Sequence, residues 1–161
     1  MSPTLTLPVD VYSPDQLSEL VIELQGTIDG LRDAAARAKT NAAAQTYKPD
    51  ISAELEQLLS QNRIDLTNIA ALETLAKDLQ LVLEKSPSVH MLLAATPVRT
   101  MKRQFVTWFR TEIHPLTLVT FAARGDLGGG AIVQAGSHLY DFSFRRRLLD
   151  NKSRLTEIAG V

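Results

Sequence analysis

The stretch that most constrains this chain lies late in it, where Ala123 to Leu149 read ARGDLGGGAIVQAGSHLYDFSFRRRLL. Three consecutive glycines, Gly128 to Gly130, allow backbone conformations closed to residues with a Cβ, and so predict a corner. The apolar run from Ala131 to Tyr140, broken at Gly136-Ser137, predicts a short hairpin. Asp141 and Ser143 then offer short polar side chains to the start of a helix that opens with Arg145, Arg146 and Arg147. A corner, a strand pair and a capped helix in that order describe a packing module, not a reaction centre.

Upstream the pattern differs. Ser13-Pro14-Asp15-Gln16 gives three helix-start cues: a capping serine, a proline suited to the first helical position, and a glutamine able to reach back to the cap. Leu17, Val21, Leu24, Ile28, Leu31, Ala35 and Ala38 follow at alternating spacings of four and three, an apolar seam along a helix ending near Thr40. Two readings stay open here, a helix hairpin folded on itself and a coiled contact with another subunit. Residues 41–49 read as a frayed end and loop. A second helix is expected at Ser52 to Gln61, presenting Leu55, Leu58 and Leu59. A third is expected from Leu66 to Lys85, with Ile69, Leu72, Ala76, Leu79 and Leu83 at helical spacing, and Ser86-Pro87 ends it. Before all of these, Leu5, Leu7, Val9 and Val11 alternate, as in a strand or an arm lying on a partner.

At Ser88 the character changes. Val89 to Ala95, flanked by Pro87 and Pro97, predicts a buried strand. Thr96-Pro97 repeats the cap-plus-proline start, and the next helix carries Val98, Met101, Phe105, Trp108 and Phe109 along one side, expected as core. After His114-Pro115, Leu116 to Ala122 predicts a second strand. The expected final helix runs from Asp141 to Ile158. The fold class is therefore α+β: an N-terminal helical hairpin or small bundle over 1–87, followed by a small mixed-sheet domain over 88–161, built strand-helix-strand-hairpin-helix. If the first two strands lie parallel, the crossover between them should be right-handed.

Charge divides along the same line. Residues 1–97 hold 7 Lys/Arg against 13 Asp/Glu, whereas residues 98–161 hold 10 against 5. The halves thus face different partners, or partly each other. The absence of cysteine excludes disulfides, thiolate metal sites and cysteine nucleophiles. The longest weakly polar run, Met91 to Ala95, falls far short of the roughly 20 residues that span a bilayer. The opening MSPTLTLPVDVYS has no basic start or apolar core, so no signal peptide is expected and a cytoplasmic chain is.

Catalytic patterns do not emerge. The glycines lead into a strand, and neither GxxxxGK[ST] nor GxGxxG is present, so a phosphate loop is not expected. His90, His114 and His138 are isolated and lack metal-ligand spacing. No GxSxG elbow accompanies the serines. Arg124-Gly125-Asp126 matches an adhesion tripeptide too short to carry weight. A basic unit bearing Phe105, Trp108 and Phe109 could bind nucleic acid through phosphate neutralisation and base stacking. Core packing is the preferred reading, because the rings sit at helical core spacing. No cofactor, metal or catalytic residue is expected.

From about Val89 to Leu155 the chain resembles the C-terminal domain of the delta subunit of F-type ATP synthases, the oligomycin-sensitivity subunit of mitochondria. The resemblance is carried, in order, by Ala95 and Pro97, then Leu127, Gly129 and Gly130, then Gly136, then Asp141 and Ser143, and finally Arg145, Arg147 and Leu148. The chain departs from that family in carrying Arg124 where an aspartate is common and Phe142 where a small residue is common. Its helical region is also shorter than the family's. A helical arm before such a domain also resembles the E-type stator subunits of vacuolar ATPases and the flagellar export stator proteins.

The resemblance implies a non-catalytic peripheral-stalk subunit of a bacterial synthase, supporting proton transport and ATP synthesis by holding the head still against the rotor. It implies the head α subunit and the stalk b subunit as partners, with the helical region on the head and the sheet domain on the stalk. It implies no nucleic acid, and a place at the cytoplasmic face of the membrane reached only through the complex. The alternatives are an E-type or flagellar-export stator protein, or a small nucleic-acid-binding module.

Overall fold

The computed structural model describes residues 5–40 and 47–150, with residue 40 and residues 148–150 described without their side chains. The fold is α+β, and the chain divides into two compact units, Met1–Ser86 and Pro87–Val161.

The first unit is helical. Helix α1 spans Pro14–Thr40, α2 Ala53–Gln61 and α3 Ile69–Lys85. The expected capping box closes α1: the Gln16 amide donates to Ser13 Oγ and the Ser13 amide to Gln16 Oε1, both at 3.2 Å. Leu17, Val21, Leu24 and Ile28 are buried, and α1 packs along α3 and against α2. The seam therefore closes within the chain, as a hairpin would close it, but only over its first half. Leu31 is half-buried, and Ala35 and Ala38 are exposed. Helix α1 has 27 residues and α3 17, so at the helical rise α1 is longer by about 15 Å.

Two local contacts fix the shorter helices. Glu23 on α1 accepts from the Ser52 amide at 2.6 Å and the Ser52 hydroxyl at 2.7 Å, while Ser52 Oγ caps α2 by accepting from the Leu55 amide. Helix α3 starts at Ile69, not at Leu66 as expected. Asp65 takes the Thr67 amide and hydroxyl into a turn, and Asn68 provides the cap for Ala71. The leading segment forms no strand over its described residues, 5–12. It is an arm with Leu7 and Val11 buried, tied by reciprocal 2.9 Å bonds between Thr6 and Asn62.

The second unit is a four-stranded mixed sheet ordered β2-β1-β3-β4. Strand β1 spans Ser88–Leu93, β2 Leu118–Ala123, β3 Ala131–Ala135 and β4 His138–Asp141. Strand β1 runs parallel to β2 and antiparallel to β3, with Met91 opposite both Phe121 and Val133. Helix α4, Arg99–Glu112, connects β1 to β2. It starts later than Thr96-Pro97 suggests: Val98 occupies the cap position without a side-chain bond, and Pro97 is buried in the approach. Strand β2 also starts late. His114 organises the turn before it, accepting from the Leu116 amide on Nδ1 and from the Thr117 hydroxyl on its carbonyl. Helix α5, Phe144–Asp150, follows the hairpin; its expected extension to Ile158 lies outside the described residues.

Candidate docking groove

The glycine corner is built by backbone geometry. Gly128, Gly129 and Gly130 have φ of 65°, 130° and 81°, all in the region that disfavours side chains. A Cβ on Gly130 would run into the Phe142 carbonyl, and one on Gly129 into the Phe144 ring. The corner therefore closes directly onto the start of α5. There Ser143, only 2% exposed, accepts from the Arg146 amide at 3.3 Å and is the cap. Asp141 accepts the Ser143 amide at 2.9 Å. Hydrogen bonds from the Ser143 hydroxyl and amide hold the Asp141 carboxyl below its usual range. Arg124 grips Asp126 through two bonds of 2.8 and 2.9 Å, lowering that carboxyl as well, and Arg145 approaches Asp126 at 3.8 Å.

The residues singled out in the sequence therefore separate. Leu127, Gly129, Gly130, Asp141, Ser143 and Arg145 gather at the corner. Ala95 and Pro97 follow β1, which reaches this same end of the sheet, where Leu93 pairs with Ala131. Gly136 forms the opposite turn of the hairpin, with φ of 57°. Arg147 is exposed on α5, and the Leu148 side chain lies outside the described residues.

The expected core stripe on α4 requires correction. Phe109 and Val106 are buried, but Val98 is 67%, Met101 44% and Trp108 56% exposed. The physical reason is the placement of α4. It meets the sheet over β2, with Phe105 and Phe121 ring centroids 6.2 Å apart, and among the described residues the β3–β4 half of that face is left open. A groove of about 740 Å³ results. Met91 and Val133 form its floor, Phe105 and Trp108 one wall, Tyr140 and Phe142 the other. Along β4 the rings of His138, Tyr140 and Phe142 stand nearly parallel, with centroids 6.4 Å apart at each step.

Sequence reasoning missed this groove, although the alternation of His138, Tyr140 and Phe142 carried a signal. Three rings at every second position of a strand must share one face. On a four-stranded sheet bearing, among the described residues, one helix on that face, they are not all covered.

The chemistry available in the groove is that of apolar contact. Gln104, the Trp108 indole N–H and the Tyr140 hydroxyl are the polar side-chain groups at its lining. Arg110 instead points to the approach to β2, donating from Nε to the Thr117 carbonyl at 3.5 Å. Burial lowers its pKa to about 10, so it stays a cation at neutral pH. Among the described residues no cluster of histidine and carboxylate side chains could hold a metal, and no helix is long and apolar enough to cross a membrane. No model of a known protein family matches the chain, and no curated protein matches it significantly.

Proposed function

We propose that this chain is a non-catalytic peripheral-stalk subunit of a bacterial F-type ATP synthase, linking the catalytic head to the stalk so that proton-driven rotation is coupled to ATP synthesis. It belongs, on this reading, at the cytoplasmic face of the membrane within the complex. The acidic helical unit meets the head α subunit, and the basic sheet unit meets the stalk b subunit. The observation that carries the reading is the corner, where the Leu-x-Gly-Gly turn closes on the Asp-x-Ser cap in the order the resemblance implies. Supporting it, the conspicuous open surface of the sheet unit suits packing against a protein, as a stator contact requires.

Reconstitution with purified head and stalk fragments tests it. The full chain should bind both at once and restore proton-coupled synthesis to a stripped complex, without hydrolysing nucleotide by itself. Failure to bind the stalk fragment at low salt would remove the reading.

One observation favours a second reading. The exposed rings of Tyr140, Phe142 and Phe144 precede the run Arg145 to Arg147, a pairing of stacking surface and cations that suits single-stranded nucleic acid. Binding of an oligonucleotide that weakens steeply with salt would support it.

A further inference from the structure

The groove between α4 and β4 is bordered by its own projecting rings, a shape that fits a second copy of this chain. Trp108 stands at one wall and Tyr140 and Phe142 at the other, each about half exposed or more. Between them lie about 740 Å³, within the range that encloses a drug-sized molecule and so ample for one indole ring. A surface with a projecting ring beside a recess is complementary to itself under a two-fold axis. Turned about such an axis, the Trp108 ring of each copy enters the recess of the other.

Charge agrees with that arrangement. An isologous contact sets identical surfaces against each other, so a charge near the axis meets its like. Among the described residues no charged side chain lines the groove, and two copies meet there without that cost. The polar groups also suit self-pairing. The Trp108 N–H can only donate, whereas Gln104 and the Tyr140 hydroxyl both donate and accept, so partners are present across the axis. The excess charge of this unit lies outside the groove, where residues 98–161 hold 10 Lys/Arg against 5 Asp/Glu. That excess repels a second copy at longer range, and salt screens it.

Area is sufficient as well. At ~150–250 Å² for a whole ring, three half-exposed rings from each copy bring about 450–750 Å² of apolar surface together. Ile113, also about half exposed at the end of the α4 wall, adds to that. Apolar atoms form a little over half of such contacts, so the full interface reaches about 1,000 Å², where specific pairs begin.

We infer that the α4–β4 groove is a two-fold self-association site, in which the Trp108, Tyr140 and Phe142 rings of two chains interdigitate. Shape, neutrality and area carry this independently of the stator reading, which concerns other proteins.

The test follows the full chain by sedimentation equilibrium from low to high micromolar concentration. The 17.7 kDa monomer should give way to a species of twice that mass. Over the same range the emission of Trp108, the single tryptophan, should shift to the blue. Raising salt from about 0.05 to about 0.5 M should strengthen the dimer about threefold or more, because the repelling charges lie outside a neutral contact. Tyr140→Lys sets two ammonium groups against each other and should weaken the dimer at least about tenfold. Ala135→Phe fills the recess and should weaken it by a similar factor. Leu139→Asp, on the opposite face of β4, should change it by less than about twofold. If Tyr140→Lys fails to fold by circular dichroism, Phe142→Lys carries the same expectation.

Three results would overturn the inference: a chain that stays monomeric throughout the range, a dimer indifferent to Ala135→Phe and the lysine substitutions, or a dimer that salt weakens. The stator reading stands or falls separately. If the chain dimerises through the groove and a purified stalk fragment does not bind it, that reading fails and self-association holds. If the stalk fragment binds a chain that is monomeric at every concentration, the reverse is true.

Discussion

The two units use similar amounts of apolar sequence to opposite ends. In the helical unit, Leu17, Leu24, Leu55, Leu58, Leu72 and Leu79 are all fully buried, and three helices supply enough surface to close around them. In the sheet unit, one long helix sits over one side of a four-stranded sheet, and Trp108, Tyr140, Phe142 and Phe144 are each about half exposed or more. The difference is one of coverage. A helix stripe needs one neighbour of equal length, whereas a sheet face needs covering across its whole width. The sheet unit lacks that cover on its β3–β4 side among the described residues, and there large apolar side chains meet solvent.

Substitutions can break or sharpen this contrast. Leu24→Ala in the closed core should cost most, about 2–5 kcal/mol, because a fully buried leucine leaves both lost contact and a cavity. Chemical denaturation should show this as a lower midpoint at unchanged slope.

Gly130→Val should come next, at about 1–3 kcal/mol from backbone strain, with the collision against the Phe142 carbonyl added. A thermal melt no lower than that of the parent would mean the corner relaxes freely. Ser143→Ala removes the cap of α5 and should cost about 1 kcal/mol. Adding Asp141→Ala should cost more than the single change, since Asp141 holds the Ser143 amide.

Acid should act on the same corner. The folded Asp141 carboxyl titrates below its unfolded value, so its contribution is complete above the ordinary aspartate range near ~3.9 and is lost as pH falls through the lowered folded value. Asp126 behaves likewise beside Arg124. Melting followed from neutral pH downward should therefore show a shallower acid decline in Asp141→Asn than in the parent.

The smallest effect should come from the open face. Trp108→Ala should change stability by no more than about 1 kcal/mol, because the side chain is already 56% exposed. A loss as large as that of Leu24→Ala would show that the ring belongs to a core, and would erase the contrast between the units.

Local chemistry made much of this legible in advance. The capping box at Ser13 and Gln16, the glycine corner, the hairpin turn at Gly136-Ser137 and the polar start of α5 each depend on side chains a few residues apart. A sequence displays such relations directly. The α+β class follows from the same signals, because helical spacing gives way to short apolar runs after Ser86. Boundaries slipped by a few residues where a side chain captured the backbone first, as Asp65 does before α3 and His114 before β2.

What the sequence could not decide was which apolar stripe is core. Leu17 to Ala38 and Val98 to Phe109 carry patterns of the same kind. The first closes until its partner helix runs out, and the second is left largely open because α4 leans toward β2. Amphipathic spacing specifies a face but not what lies opposite it. That is set by strand order, by the angle at which a helix crosses its sheet, and by how much neighbouring chain remains to cover the rest. The groove beside Trp108 comes from those long-range choices, so only the tertiary structure displays it.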